Sequence, residues 1–154
     1  MIKNLTIQIS KKYKIDKREI HKIVSLLKNE FSFQVNDINI NIVTSEEIHK
    51  VNKEFLNHDF STDIITFNYS EENNTLDTEI FISLEDAYSN SLKYKVSLDN
   101  ELLRLIVHGV LHLLGYDDKD VNDKRKMKRM ENKLVSKFEK SINKIAKDYD
   151  SKNC

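Results

Sequence analysis

The segment HGVLHLLGYDD, residues 108–118, carries two histidines four positions apart in an otherwise apolar run. At that spacing His108 and His112 lie on one face of a helix, about 6 Å apart, so both imidazoles can bind the same ion. Neutral imidazole is a common zinc ligand, and a zinc ion that activates a water molecule takes three protein ligands. The segment therefore predicts a metal site that contains both histidines and needs a third ligand.

The glycine that follows the histidines predicts where that third ligand comes from. A glycine directly after a helix can adopt the left-handed conformation that reverses the chain, so Gly115 would return the next residues towards the histidine face. Asp118, ten residues after His108, is the predicted third ligand; Asp117 is the alternative, although it could as readily cap the next helix. This spacing is that of the metzincin metalloproteases, but Gly109 stands where those enzymes have a glutamate general base.

The histidines must be positioned by the helix that carries them. Ser97 is a suitable N-cap, acidic residues follow in the first turn, and the apolar run continues to Leu114. Because hardly any polar face remains, we expect this helix to lie in the core and His108 and His112 to be buried.

Apolar periodicity outlines the rest of the fold. Asp16 should cap one helix, Thr44 and Glu47 should form a capping box, and the helix after Thr44 should turn Ile48, Val51 and Phe55 inward. The predicted strands are residues 3–9, 39–44, 63–69 and the segment TEIFIS, and the further predicted helices are residues 16–31, 84–95 and 121–149. The pattern indicates an α+β fold in a single domain, residues 1–154, with one small mixed sheet of about four strands, helices packed against it, and a zincin-like metal site on a buried helix.

Composition narrows the class of protein. The chain is 39% hydrophobic and 32% charged, and no apolar run reaches the roughly 18 residues of a membrane span. The amino terminus lacks the apolar block of a secretory signal, so we expect a cytoplasmic protein. The sole cysteine, Cys154, is the last residue, which argues against a disulfide framework or a cysteine metal site.

Charge is distributed unevenly although the formal net charge is zero. Residues 36–87 contain 12 acids and two lysines, whereas residues 119–154 contain 12 bases and six acids. Such a chain can present a basic face to RNA, although runs of charge more often form solvated helix faces.

Three motifs resemble those of the YbeY endoribonuclease family. HGVLHLLGYDD is similar to the family signature H-G-x-L-H-L-x-G-Y-D-H; NKEFLNHDFSTDIITF, residues 52–67, and TEIFIS resemble two further motifs in the family's order. The resemblance implies a single-strand-specific, metal-dependent endoribonuclease that acts in 3′-end maturation of 16S rRNA and in ribosome quality control. It implies ribosomal RNA and the small ribosomal subunit as partners and one divalent metal ion as cofactor. Zinc is the first choice, although two histidines and a carboxylate also suit iron, nickel, cobalt or manganese.

Two departures from the family pattern bear on activity. The family's third ligand is histidine, and the added negative charge of Asp118 should make the metal a weaker Lewis acid. The family's arginine falls at Leu56, which cannot hold a phosphate. Lys53, one turn earlier, and Arg104, on the helix that carries the two histidines, are the candidate replacements for binding RNA.

The sequence leaves the identity of the general base open. The resemblance places Asp63 and Asp59 in a loop near the metal, but turn capping explains each aspartate equally well. Two other functions stay possible: a metal-dependent hydrolase of another substrate, and a ribosome-assembly factor that binds RNA and uses its metal structurally.

Overall fold

A computed structural model describes residues 2–10, 12–117 and 119–149. Within these residues the elements are β1 (Leu5–Ile9), β2 (Lys14–Ile15), α1 (Lys17–Phe31), β3 (Gln34–Val43), α2 (Ser45–Leu56), β4 (Ile64–Asn68), β5 (Thr75–Ser83), α3 (Leu84–Tyr94), α4 (Leu98–Leu113), α5 (Val121–Glu139) and β6 (Ala146–Lys147). The α+β class predicted from the sequence is confirmed.

The main sheet has four strands in the order β1-β3-β5-β4. β1, β3 and β5 run parallel, while β4 is antiparallel to β5, so the sheet is mixed as expected. Ile7, Ile40 and Ile80 lie side by side across the three parallel strands and are buried. The alternation of apolar and polar residues that predicted these strands therefore places one isoleucine row in the core.

Helix α4 packs against the sheet through β4 and β5 and against the three helices α1, α3 and α5. A β-carbon added at Gly109 would stand 3.0 Å from Cδ1 of Ile64 and 3.4 Å from Cγ2 of Thr66. Glycine thus allows α4 to approach β4 closely, which a side chain at position 109 would oppose.

Helix starts follow the predicted caps. The side chains of Asp16, Thr44 and Ser97 accept hydrogen bonds from the first turns of α1, α2 and α4, and Thr44 forms the expected capping box with Glu47. Asp120 caps α5, so the alternative role of Asp117 as that cap is wrong.

The last predicted helix is too long. α5 ends at Glu139 rather than continuing to Tyr149, and β6 pairs with β2 in a second, two-stranded sheet. The backbone N–H groups of residues 145 and 146 donate to the carboxylate of Asp99, at 2.9 and 3.0 Å, instead of to a preceding helical turn. The side chain of Asp99, distant in sequence, thus accepts the backbone hydrogen bonds of this extended segment, and local periodicity does not reveal such a contact.

Phe55 is also placed differently from the prediction. It is 65% exposed, whereas Ile48, two turns earlier on the same face of α2, is fully buried. α2 reaches the edge of the sheet at its last turn, where the ring of Phe55 contacts Phe67 edge-on at 6.1 Å and the other side of the ring faces water.

In the part of the chain that the structure describes, no helix is long and apolar enough to cross a membrane.

Candidate metal centre

The two histidines occupy the last two turns of α4 and are more accessible than predicted. The side chain of His108 is 36% exposed and His112 is exposed, so the expected burial of both is wrong. Although α4 is buried along most of its length, a cavity between α3, α4 and α5 opens beside His108. This exposure leaves both imidazoles accessible from solvent, as the predicted metal site requires.

The predicted reversal of the chain after α4 is present. Gly115 has φ 105°, and its N–H donates to the carbonyl oxygen of His112 at 3.1 Å. The N–H of Tyr116 reaches back to the carbonyl of Leu111 at 3.0 Å, which completes a Schellman motif. Only glycine adopts this φ without strain, so Gly115 fixes the direction in which the chain leaves the histidines.

The third predicted ligand, Asp118, lies outside the described residues. Asp117, the alternative ligand, has a carboxylate 3.9 Å from the Lys119 ammonium. Among residues 2–10, 12–117 and 119–149, no three side chains of histidine, cysteine, aspartate or glutamate are grouped to hold a metal ion. The described part of the site supplies two imidazoles, whose donor chemistry fits zinc, and the metal itself stays a prediction.

Glu131 of α5 contacts the first histidine directly. Its side chain is only 7% exposed, and Oε2 lies 2.8 Å from Nδ1 of His108. The other oxygen, Oε1, accepts a hydrogen bond from Nη1 of Arg104 at 3.0 Å. Burial raises the pKa of Glu131, but the hydrogen bonds from His108 and Arg104 outweigh burial and hold the pKa below its ordinary value. The carboxylate is therefore ionised at neutral pH.

The cavity beside His108 has a volume of about 390 Å³. Its polar lining comes from the three helices α3, α4 and α5 and from the residue before β4, and its apolar lining includes the exposed ring of Tyr94. The polar residues are Asp63, Asn90, Glu101, Arg104, His108, Lys128 and Glu131. His112 does not line this cavity, so the two histidines face it unequally.

Asn90 joins two carboxylates on the far wall of the cavity. Its Nδ2 donates to Asp63 at 3.0 Å and to Glu101 at 3.3 Å. Burial raises the pKa of Glu101, the hydrogen bond from Asn90 opposes this, and the charge of Asp63 adds to the rise. The structure thus places Asp63, one of the two candidate bases, in the same cavity as His108.

The remaining candidates from the second motif lie elsewhere. Asp59 is 2.8 Å from Nε2 of His49, and this hydrogen bond lowers the pKa of Asp59, with the charge of Lys53 adding to the effect. Neither Asp59 nor Lys53 lines the cavity beside His108. Leu56, at the position of the family's arginine, is 39% exposed.

Buried Asn52 anchors the loop between α2 and β4, which carries Asp59 and Asp63. Its side-chain amide donates to the carbonyl of Phe60 at 3.0 Å, and its own carbonyl accepts from the N–H of His58 at 3.1 Å. Both bonds hold the start of the loop against α2, while Asp63 at its end leads into β4.

Sequence reasoning missed Glu131, Glu101 and Asn90 as parts of the site. A signal for Glu131 was available, because it falls on the same helix face as Met127 and Leu134, both buried. An acid on the apolar face of a lysine-rich helix needs a partner, and the partners are Arg104 and His108 of α4.

Comparison with known proteins identifies the family. The model of the family described as endoribonuclease YbeY matches residues 2–139. Proteins with that name from Chlorobium phaeobacteroides and Flavobacterium johnsoniae are 36% and 40% identical to this chain, over 76% and 75% of it and 82% and 79% of their own lengths. The solution structure of TM1509 from Thermotoga maritima aligns with a TM-score of 0.60 at 25% identity and covers 86% of this chain and 87% of that one. The chain therefore belongs to the endoribonuclease YbeY family.

Proposed function

We propose that this protein is a metal-dependent endoribonuclease that cuts single-stranded RNA, with 16S rRNA and its 3′ end as the substrate and the small ribosomal subunit as the partner. The observation that carries the proposal is the family match over residues 2–139, which includes both histidines and the loop with Asp63. A role in maturation and quality control of ribosomes implies a cytoplasmic protein.

His108, His112 and Asp118 are the proposed metal ligands. A bound divalent ion, zinc in this proposal, supplies an activated water molecule or polarises a phosphoryl oxygen. The helix ends at Leu113 and Gly115 reverses the chain, which supports a ligand set drawn from α4 and the residues that follow it.

Asp63 is the better supported of the two candidate bases. It lines the same cavity as His108, and Asn90 fixes one of its oxygens at 3.0 Å, so its position is defined before substrate binds. Asp59 instead pairs with His49 at 2.8 Å on an exposed surface. We assign Asp63 the role of accepting a proton in the reaction and assign no role in the reaction to Asp59.

Metal analysis combined with an RNA digest tests the proposal. Purified protein should contain about one equivalent of metal, and His108→Ala, His112→Ala and Asp118→Ala should each lose it together with cleavage of a single-stranded RNA that spans the 16S 3′ end. A chelator should stop the wild-type reaction, and duplex RNA of the same sequence should resist it. His49→Ala is the matched control, since it removes a histidine from an exposed helix and should leave metal and cleavage unchanged. Full cleavage by His112→Ala would refute the proposal.

The second candidate is an RNA-binding assembly factor whose metal is structural. The observation in its favour is Leu56, which offers no cation where the family has arginine. Such a protein would retain metal and bind RNA with a strong dependence on salt, yet produce no fragments. The same digest therefore separates the two functions.

A further inference from the structure

The buried contact between Glu131 of α5 and His108 of α4 determines which ring nitrogen of His108 is available to a metal ion. Oε2 of Glu131 stands 2.8 Å from Nδ1 of His108, and an ionised carboxylate can only accept a hydrogen bond. Nδ1 must therefore carry the proton. In a neutral imidazole this leaves Nε2 with the lone pair that a metal ion uses.

The carboxylate of Glu131 is itself held in place by Arg104, which also lies on α4. Arg104 is one turn before His108 on α4, and its Nη1 donates to Oε1 of Glu131 at 3.0 Å and to Oδ1 of Asn132 at 2.9 Å. One oxygen of Glu131 thus faces the arginine and the other faces the histidine. Lys128 adds a second cation 3.7 Å from Oε1.

Burial makes this arrangement rigid. The side chains of Glu131 and Arg104 are 7% and 24% exposed, so water competes little for their hydrogen bonds. Leu134, one turn further along α5, is fully buried, and α5 packs against α4. The geometry is that of a carboxylate that orients a metal-binding imidazole from behind.

We propose that Glu131 is a positioning residue that fixes the tautomer and the orientation of His108 for metal binding, and that Arg104 holds Glu131 in place. This inference rests on the proposed function, because it takes His108 as a metal ligand. It assigns Arg104 to the support of the site, so the guanidinium is already engaged and is not the substitute for the family's arginine at position 56.

Two measurements on the same variants test the inference. Zinc affinity is measured by competition with a chromophoric chelator for the wild type, Glu131→Gln, Glu131→Ala and Asn132→Ala. Glu131→Gln should weaken zinc binding about 10-fold and Glu131→Ala up to about 100-fold, the range typical of residues that orient metal ligands. Asn132→Ala is the matched control, because it removes a partner of Arg104 without touching His108, and its affinity should stay within about threefold of wild type.

The second measurement needs no metal. In metal-free protein, ¹H–¹⁵N correlation of the imidazoles should show His108 protonated at Nδ1 in the wild type and in Asn132→Ala, and at Nε2 to a substantial extent in Glu131→Ala. Glu131→Gln keeps the shape of the side chain and should retain the native fold by near-ultraviolet circular dichroism, so a lost affinity in that variant is not a folding defect.

The outcomes distinguish the inference from the function on which it rests. An unchanged tautomer in Glu131→Ala and unchanged zinc affinity in both Glu131 variants, together with lost affinity in His108→Ala, would overturn the role of Glu131 alone. Unchanged zinc affinity in His108→Ala would overturn the proposed metal site instead.

Discussion

Gly109 and Ile64 meet where α4 lies on the sheet, and a β-carbon at Gly109 would stand 3.0 Å from Cδ1 of the isoleucine. Position 109 follows the first histidine, and metalloproteases with this histidine spacing have their glutamate base there. In this chain the position faces the side chains of Ile64 and Thr66 on β4, so it is a packing contact between α4 and the sheet.

Gly109→Glu should therefore destabilise the protein without creating peptidase activity. A carboxylate forced against Ile64 loses its hydration and displaces a packed side chain, at a cost of about 3 kcal/mol in the free energy of unfolding. Gly109→Ala is the control, since a methyl group needs only a small shift of a flexible side-chain end and improves helix propensity by up to about 1 kcal/mol. Urea denaturation of both variants measures the difference, and equal stabilities would contradict the packing role.

Much of the site could be predicted from local sequence because its chemistry is local. His108, His112 and Gly115 fall within one helix and its terminal turn, where spacing fixes geometry. Glu131 comes from another helix and Asn90 from a third, and no local rule relates their positions to His108. Their part in the site depends on how the helices pack.

The fold likewise combines features that local sequence predicts with features that depend on residues distant in the chain. Strand alternation and caps such as Asp16 and Thr44 are local, and the structure confirms them. The end of α5 depends on Asp99, which lies 46 residues before Ile145 and accepts its N–H. The exposure of Phe55 depends on where the sheet ends beneath α2. Neither is encoded in the periodicity of the segment itself.

Gly115→Ala should weaken metal binding more than it weakens the fold. A β-carbon at φ 105° costs about 1–2 kcal/mol, and relaxing that strain would change the direction of the chain after α4. Nothing lies within 4 Å of the added carbon, so the effect comes from backbone strain and not from a clash. Gly115→Asn, which tolerates the left-handed region better, should retain more zinc affinity. Chelator competition measures the zinc affinity of both variants, and thermal unfolding measures their stability. A higher zinc affinity in Gly115→Ala than in Gly115→Asn would contradict the prediction.

Removal of two cations should affect RNA binding differently. Lys53 is exposed on α2, one turn from Leu56, so Lys53→Ala should weaken binding to single-stranded RNA and reduce the slope of log affinity against log salt by about 0.7, the loss of one phosphate contact. Arg104→Ala should leave that slope unchanged, because the guanidinium is bonded to Glu131 and Asn132. Lys50→Ala is the control, because Lys50 lies on the same helix with its Nζ 3.9 Å from Oε1 of Glu46, and the slope for this variant should equal that of the wild type. Fluorescence anisotropy at several salt concentrations gives the slopes, and a reduced slope only in Arg104→Ala would reverse the assignment.

Glu101→Gln should become more stable relative to wild type as pH rises. Burial beside Asp63 raises the pKa of Glu101 in the folded state above its ordinary value of 4.5, so folding favours the protonated acid. The stabilisation of the wild type from this group is complete below the unfolded pKa and is lost as pH rises through the folded pKa. Glutamine stays neutral throughout and avoids that loss. Urea denaturation of both proteins at pH 4.5 and pH 7.5 gives the change in relative stability. A difference between the two proteins that is the same at both pH values would show that the carboxyl has an ordinary pKa, and a shift in favour of the wild type at pH 7.5 would show that Asn90 and the start of α4 stabilise the charged form more than burial opposes it.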